Sequence, residues 1–166
     1  MLQMQTHSIV DFSKTSNIEN WLIVDDVVMG GKSSGLFKID DAGNGKFFGE
    51  ISLDNNGGFS SVRYRGATIS TDRYSKIVMR IKGDGKRYQF RVKEQLDQRH
   101  SYVAYFTTSG DWETVEIAFK DLFPKFRGRL LDIPNFSGDT IAELGFLFGN
   151  KKAESFELLI DRIYLQ

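Results

Sequence analysis

Apolar and polar side chains alternate along most of the 166 residues of this chain. In one such segment, Phe47 and Ile51 fall on one side of an extended backbone and Glu50 falls on the other. A period of two indicates a β-strand rather than a helix. The same pattern, bounded by turns rich in Gly, Asp and Asn, predicts strands before Gly30 and at 34–39, 47–53, 59–65, 76–82, 86–93, 102–107, 114–119, 144–148 and 156–164.

The clearest local signal is a predicted β-hairpin. Segments 76–82 and 86–93 both alternate, and the short loop Gly83-Asp84-Gly85 joins them, as is common between antiparallel neighbours. Short helical turns are expected at 16–21 and 120–126, and no stretch predicts a longer amphipathic helix. The sequence therefore predicts an all-β protein, a two-sheet antiparallel β-sandwich of jelly-roll type, formed as a single domain over residues 1–166.

Composition fits this fold class and narrows the function. The chain has 14 Phe and 16 Gly against 2 Pro, which suits short strands joined by tight turns. It has no Cys, which excludes disulfides, thiolate metal sites and a cysteine nucleophile. The 22 basic and 22 acidic residues give a formal net charge of zero, whereas a dedicated nucleic-acid binder usually carries a basic excess. We therefore expect no nucleic-acid partner.

The sequence also gives an expectation about location. Its first residues lack the pattern of a secretory signal or of a transit peptide. No apolar run reaches the length of a membrane span. We therefore expect a cytoplasmic protein that does not insert into membranes.

Two motifs invite a catalytic interpretation that their spacing does not support. The segment 30–33, Gly-Gly-Lys-Ser, resembles a phosphate-binding loop, but position 26 is Asp where that loop requires Gly, and a strand follows instead of a helix. A glycine turn is the better interpretation. Asp25 and Asp26 point to opposite faces of an extended chain, so they cannot form a glycosidase pair by themselves. Capping of a turn is favoured for them, and a structural calcium ion is the open alternative.

Other catalytic signatures are missing from the sequence. Neither His7 nor His100 has another histidine at metal-ligand spacing, and no Gly-x-Ser-x-Gly elbow occurs. A general base at His100 in an unrecognised hydrolase is kept only as a third hypothesis. We therefore expect a binding protein without catalytic residues, without a metal and without a cofactor.

Arginine and aromatic residues supply the candidate binding surface. One side of segment 86–93 carries Arg87, Gln89, Arg91 and Lys93, and Arg80 and Lys82 are expected beside them. If the strand that carries Arg63 and Arg65 is a neighbour, a basic and partly aromatic face results; arginine suits carboxylates, and tyrosine gives rigid contact area. An ordinary solvated sheet face is the alternative. The candidate residues for a partner are Phe59, Arg63, Arg65, Tyr88, Arg91 and Trp112.

The two tryptophans, Trp21 and Trp112, have two interpretations. A tryptophan on a sandwich can stack on a sugar ring, but a single tryptophan near a strand end is more often part of the core or of its edge. The core is favoured for both.

A series of short motifs runs through nearly the whole chain in a fixed order. The motifs are Trp21, 24–33 (VDDVVMGGKS), 48–49, 58–63 (GFSSVR), Tyr74, 79–88 (MRIKGDGKRY), 105–108 (YFTT), Trp112, 115–117, 126–129 (FRGR), Ile141, 145–146, 156–158 and Asp161. With them the chain resembles the complex I intermediate-associated protein 30 family, whose domain is similar to galactose-binding-like β-sandwiches. One departure is Ala118, where the family usually has Pro, and it affects only a local strand bend.

The resemblance implies a non-enzymatic protein, since mitochondrial members of the family act as chaperones for the assembly of respiratory complex I. No single motif decides the match, but one of them contains a predicted turn with Asp25, Asp26, Met29, Gly30, Gly31 and Ser33. The favoured hypothesis is a protein-binding module of the chaperone or assembly-factor type, whose client the sequence does not identify. The alternative is a carbohydrate-binding module on the same kind of sandwich, with a glycan as its ligand.

Overall fold

A computed structural model describes residues 5–26 and 30–166 of the chain. These residues form short strands connected by turns, with 3-10 turns at Asp54–Asn56 and Phe119–Asp121. In chain order the strands are β1 (His7–Asp11), β2 (Trp21–Asp25), β3 (Ser34–Ile39), β4 (Gly45–Glu50), β5 (Ser60–Tyr64), β6 (Ile69–Ser70), β7 (Lys76–Lys82), β8 (Arg87–Lys93), β9 (Ser101–Thr107), β10 (Trp112–Ala118), β11 (Phe123–Phe126), β12 (Arg129–Leu130), β13 (Thr140–Ile141), β14 (Glu143–Phe148) and β15 (Ser155–Leu165).

Most strands belong to two antiparallel sheets. The six-stranded sheet has the order β10-β7-β15-β4-β3, and β1 pairs with the second half of β15, beyond the end of β4. The seven-stranded sheet has the order β12-β11-β9-β8-β14-β5-β2. A small two-stranded sheet pairs β13 with β6. The predicted antiparallel β-sandwich is confirmed.

The core lies between the two large sheets and is rich in aromatic rings. Phe148 on β14 stacks on Phe156 on β15 with ring centroids 4.7 Å apart, so the two sheets touch through this pair. Phe47 packs edge-on against Phe156 at 4.8 Å, and the ring of Tyr88 lies 4.9 Å from that of Phe148. Burying several such rings removes a large apolar area from water and supplies much of the stabilisation of the fold.

A second aromatic cluster closes the sandwich where β2 meets β3. Trp21 on β2 stacks on Phe37 on β3 at 4.7 Å, and the rings of Phe12 and Tyr64 lie 5.4 and 4.9 Å from it. Trp21 is partly buried and packs against the core, so it covers the edge of the core instead of lying within it. Trp112 lies elsewhere, on β10 at the edge of the six-stranded sheet, and does not pack against the core, so the expectation that it is a core residue is wrong.

The predicted hairpin at 76–93 is wrong. β7 pairs with β10 and β15, whereas β8 pairs with β9 and β14, so the loop 83–85 crosses from one sheet to the other. Alternation alone does not distinguish the two cases, because strands in facing sheets also turn their apolar sides to the same core. The carboxylate of Asp84 holds the crossing by accepting hydrogen bonds from the Tyr88 hydroxyl (3.0 Å) and from the backbone N–H of Glu157 (2.9 Å).

Other differences from the predicted elements are local. The chain is not helical at 16–21, and the predicted helical turn at 120–126 is a 3-10 turn followed by β11. The sequence pattern missed the strands β1, β6, β11, β12 and β13, because they are short or lie at sheet edges. Strands β3 and β7 have the predicted bounds.

Candidate functional site

The predicted turn residues that the structure describes lie around the buried carboxylate of Asp26, which is 1% exposed. It accepts hydrogen bonds from the hydroxyl of Ser33 (2.5 Å), from the backbone N–H of the same serine (3.0 Å) and from the N–H groups of Gly58 (2.6 Å) and Phe59 (3.3 Å). Gly31 passes so close that a methyl group there would lie 2.4 Å from the carboxylate. The turn therefore needs glycine at this position, and capping is the role that these contacts give to Asp26.

Asp25 makes a separate set of contacts. Its carboxylate accepts hydrogen bonds from the N–H of Gly35 on β3 (2.9 Å) and from the hydroxyl of Ser60 on β5. Because β3 and β5 belong to different sheets, Asp25 ties the two sheets together. Neither aspartate points into a cleft with a free carboxylate, and Met29, the remaining member of the predicted turn, lies outside the described residues.

The hydrogen bonds also set the charge state of Asp26. Burial opposes ionisation, but the donors from Ser33, Gly58 and Phe59 outweigh it and hold the pKa of Asp26 below its usual value of 3.8. The carboxylate is therefore ionised at neutral pH and serves as a structural acceptor, not as an acid catalyst.

The outer face of the seven-stranded sheet brings the predicted arginines together. Arg63 on β5 and Arg91 on β8 both lie opposite Gly145 on β14. Directly opposed residues in antiparallel strands project from the same face. Their neighbours along the strands, among them Val62 and Phe90, are buried in the core, so the two arginines face away from it. One row across this face is Phe123, Val103, Arg91, Gly145, Arg63 and Leu22.

This outer face is strongly basic although the chain has no formal net charge. On the described strands and strand ends of this face, the charged side chains are six basic groups and one acidic group, Glu143. The acidic group is engaged, since its carboxylate accepts a hydrogen bond from Nε of Arg65 at 2.7 Å. The six basic residues are Arg63, Arg65, Arg87, Arg91, Lys93 and Lys125.

The cations of this face lie close enough to affect one another. Burial lowers the pKa of the Arg91 guanidinium, and the positive charge of Arg63 lowers it further. Burial also lowers the pKa of Lys93, with Glu143 opposing that shift and the three neighbouring arginines adding to it. The Nε atom of Arg91 is buried without a hydrogen-bond partner in the part of the chain that the structure describes. Positive charge therefore exceeds negative charge on this face.

An aromatic platform adjoins the basic groups. The guanidinium of Arg87 lies 4.5 Å from the ring centroid of Tyr105, and Nζ of Lys125 donates a hydrogen bond to the Tyr105 hydroxyl at 2.6 Å. The ring of Phe123 lies 5.9 Å from that of Tyr105. Leu130, opposite Lys125 at the sheet edge, is 68% exposed. The face thus combines cations with exposed apolar surface.

The structure divides the six residues predicted to bind a partner. Arg63, Arg65 and Arg91 share the outer face, and Phe59 is half-buried just before β5 on the same sheet. Tyr88 is fully buried, so its predicted place on the face is wrong: its ring fills the core. Trp112 lies on the other sheet, with the guanidinium of Arg80 4.5 Å from its ring centroid.

Arg80 and Lys82, which were predicted to lie beside Arg91, are on the six-stranded sheet with Trp112. That prediction is wrong because the loop after β7 crosses between the sheets. The sequence pattern missed four members of the basic face, namely Tyr105, Phe123, Lys125 and Glu143. Alternation along β9 places Tyr105 opposite to the buried Tyr102 and Phe106, and would have identified it. The other three lie on β11, which was not predicted, or at a strand end.

The histidine considered as a general base lies apart from the basic face. His100 precedes β9, and its ring packs edge-on against Tyr102 at 5.1 Å. Burial raises the pKa of Tyr102 to about 12, so this phenol remains protonated. Among residues 5–26 and 30–166, no group of three or more His, Asp or Glu side chains is arranged to hold a metal ion. Over the same residues no helix has the length and hydrophobicity needed to span a bilayer.

Comparison with known proteins identifies the family. The sequence profile of the complex I intermediate-associated protein 30 family matches residues 10–160. The chain belongs to this family. The resemblance inferred from the ordered motifs is thereby confirmed. A relative from Drosophila melanogaster, "Complex I intermediate-associated protein 30, mitochondrial", is 25% identical over 98% of this chain. The chain spans 63% of the length of that relative.

This relative contradicts the expected cytoplasmic location, since its name points to the mitochondrion. The expectation rested on the absence of a targeting pattern, and the packing of a folded domain carries no information about its compartment.

Solved structures with the same fold include carbohydrate-binding modules. The family 11 module of the cellulosomal cellulase Lic26A-Cel5E of Clostridium thermocellum superposes with a TM-score of 0.71 at 18% identity, covering 99% of this chain and 95% of that module. The family 11 module from the same organism in complex with a β-1,3-1,4-mixed-linked tetrasaccharide gives a TM-score of 0.67 at 20% identity, covering 96% of this chain and 94% of the module. At this identity the likeness establishes the fold alone.

Proposed function

We propose that this protein is a non-catalytic binding module of the assembly-factor type, which engages another protein through the outer face of the seven-stranded sheet. The observation that carries the proposal is the concentration of six basic side chains around a single, already engaged carboxylate, in a chain of zero formal net charge. Such a face attracts a complementary partner and orients it on approach. Membership of the complex I intermediate-associated protein 30 family supports a client among respiratory complex I intermediates.

The mixed character of the face also favours a protein client. Leu22 is 47% exposed and Leu130 is 68% exposed at opposite sides of the sheet, with Tyr105 and Phe123 between them. Protein interfaces are enriched in arginine and aromatic residues and are surrounded by polar groups. The buried, fully hydrogen-bonded carboxylate of Asp26 and the isolated position of His100 give no support to catalysis.

Site-specific photocrosslinking tests the proposal. A benzoylphenylalanine at Leu22 probes the basic face, and the same residue at Thr114, exposed on β10 of the other sheet, is the matched control. In an extract of the source organism we expect complex I subunits to crosslink at position 22 and not at position 114. Equal crosslinking at both positions, or crosslinking at 114 alone, would contradict binding through this face.

A carbohydrate ligand is the second candidate, and one local observation favours it. Tyr105 lies directly opposite Gln89, so an aromatic ring and an amide stand side by side on the outer face. Sugar sites commonly use an aromatic plane next to hydrogen-bonding groups. A sugar would have to compete with Arg87 and Lys125, which already contact the ring.

The mixed-linked tetrasaccharide distinguishes the two candidates. The protein-binding proposal predicts no saturable shift of backbone amide resonances in β8 and β9 when this sugar is titrated. Saturable shifts that disappear in Tyr105→Ala and persist in Tyr164→Ala, a change on the other sheet, would favour the carbohydrate module instead.

A further inference from the structure

The centre of the basic face is a notch whose floor is Gly145. Arg91 lies opposite this glycine on one side, and Arg63 lies opposite it on the other. A methyl group at position 145 would come within 2.3 Å of the carbonyl oxygen of Val62, so the close approach of β5 requires glycine here. As a result, no side chain separates the two guanidinium groups from above.

The notch is small and polar. Its free volume is about 10 Å³, and its polar lining comes from Ser61, Arg63, Arg91, Ser101 and Glu143. A volume of this size admits roughly one oxygen-sized atom. One oxygen of a carboxylate fits such a space, with the second oxygen outside it between the arginine forks.

The charges around the notch are unbalanced. The one carboxylate in its lining, that of Glu143, already accepts a hydrogen bond from Arg65 at 2.7 Å. Nε of Arg91 has no partner among the described residues, and a buried donor without an acceptor is costly. Arg63 and Arg91 repel each other across the glycine. An incoming anion reduces this repulsion.

We propose that the notch over Gly145 binds a carboxylate between Arg63 and Arg91, and that the partner of this protein presents an acidic segment to the seven-stranded sheet. This inference rests on the proposed function and names the chemistry of the partner. Arginine forks match carboxylate geometry, and charge-assisted hydrogen bonds are the stronger kind. A nucleic acid fits less well, because Arg87 and Lys125 already contact the ring of Tyr105 on which a base would stack.

The test uses labelled peptides of defined charge. A fluorescein-labelled deca-glutamate peptide is titrated with the protein and followed by fluorescence anisotropy, with deca-glutamine as the uncharged control. Arg63→Gln and Arg91→Gln are each expected to weaken deca-glutamate binding about tenfold, the loss of one charge-assisted hydrogen bond. Arg162→Gln makes the same charge change on the other sheet and is expected to leave the affinity within about twofold.

A conservative variant separates the arginine fork from its charge. Arg91→Lys keeps the positive charge but removes the planar fork and Nε, so deca-glutamate should bind it at least about threefold more weakly than wild type. This variant also covers the case in which Arg91→Gln fails to fold, which thermal melting would reveal. Wild-type affinity in Arg91→Lys would overturn the proposal.

Three further results would also overturn it. One is an equal loss of affinity in Arg91→Gln and Arg162→Gln, which indicates a general charge effect. Another is binding of deca-thymidylate without binding of deca-glutamate, which indicates a nucleic-acid surface. The last is retention of the crosslink at position 22 in both glutamine variants and in excess deca-glutamate. That last result overturns the carboxylate site but leaves the proposed protein-binding function intact. Conversely, if wild type binds deca-glutamate but gives no crosslink at position 22, the proposed function is overturned and the carboxylate site stands.

Discussion

The carboxylate of Asp26 accepts hydrogen bonds from both the backbone N–H and the hydroxyl of Ser33, seven residues along the chain. The same hydroxyl accepts a hydrogen bond from the N–H of Ser52 at 2.9 Å. The pair therefore joins the turn after β2 to the segment after β4, and so connects the two sheets. Asp26 and Ser33 of the turn motif therefore have a structural role.

Asp26→Asn should destabilise the fold strongly. The amide removes the charge that the four donors surround and brings its own N–H groups against them. We expect the free energy of unfolding to fall by about 3 kcal/mol, as for other charged hydrogen-bond acceptors that are lost from buried positions. Urea denaturation measures this change in the free energy of unfolding. The control is Asp41→Asn, which changes an exposed aspartate in the turn after β3 and should alter the free energy of unfolding by less than about 0.5 kcal/mol. An equal loss in both variants would refute the structural role of the Asp26 carboxylate.

The stability difference between wild type and Asp26→Asn should depend on pH. The folded-state pKa of Asp26 is lowered, because its hydrogen bonds outweigh the effect of burial. The ionised carboxylate therefore contributes its full stabilisation above the usual value of 3.8 and loses it as the pH falls through the lower folded-state pKa. Chemical denaturation of both proteins at a series of pH values from 7 downward measures the difference in their free energies of unfolding. This difference should become smaller only below pH 3.8, the usual pKa of an aspartate. A difference that narrows between pH 7 and pH 5 would show that another group is responsible.

Tyr88→Phe should loosen the crossing between the sheets. Tyr88 is fully buried, and its hydroxyl donates to Asp84 and accepts from the N–H of Glu157 (3.2 Å). Removing the hydroxyl leaves the ring in place but takes a hydrogen-bond donor from Asp84. We therefore expect the free energy of unfolding to fall by about 1.5 kcal/mol. Tyr105→Phe, which removes an exposed hydroxyl, is the control and should cost about 0.5 kcal/mol or less. Thermal melting of the two variants gives the comparison, and equal melting temperatures would exclude a special role for Tyr88.

Glu143→Gln should strengthen the binding of an acidic peptide. The change removes the negative charge from the notch and frees Arg65, so deca-glutamate affinity should rise about threefold, the size of a modest charge interaction near the surface. Glu116→Gln, which breaks the exposed pair with Lys76 on the other sheet, is the matched control and should leave the affinity unchanged. Weaker binding in Glu143→Gln would show that Glu143 holds the arginines in their binding geometry instead.

The sequence was informative where a strand buries one side. Alternation identified β7 and β8 because Met79 and Phe90 face the core while Arg80 and Arg91 do not. It could not assign the two strands to a sheet, because facing sheets produce the same pattern as a hairpin. That ambiguity placed Arg80 beside Arg91, although the two arginines lie on opposite sides of the sandwich.

The candidate site was only partly predictable for a related reason. Arg63 and Arg91 could be recognised as outward-facing, but their shared neighbour Gly145 joins them only through the pairing of β14 with both β5 and β8. These pairings link segments far apart in the chain, and short-range patterns do not encode them. The four-residue strand β11, with Phe123 and Lys125, has Pro124 in its middle and therefore gave no strand signal.

The central place of β15 bears on the order in which the fold can assemble. This strand pairs with β7 along one edge and with β4 and then β1 along the other. These three strands are synthesised earlier and cannot form their pairings with β15 until residues 155–165 have left the ribosome. Such long-range pairings slow folding, because the chain must close large loops before any contact stabilises them. During synthesis the apolar sides of these strands therefore remain uncovered until β15 has emerged, and in that interval they are exposed to association with other chains.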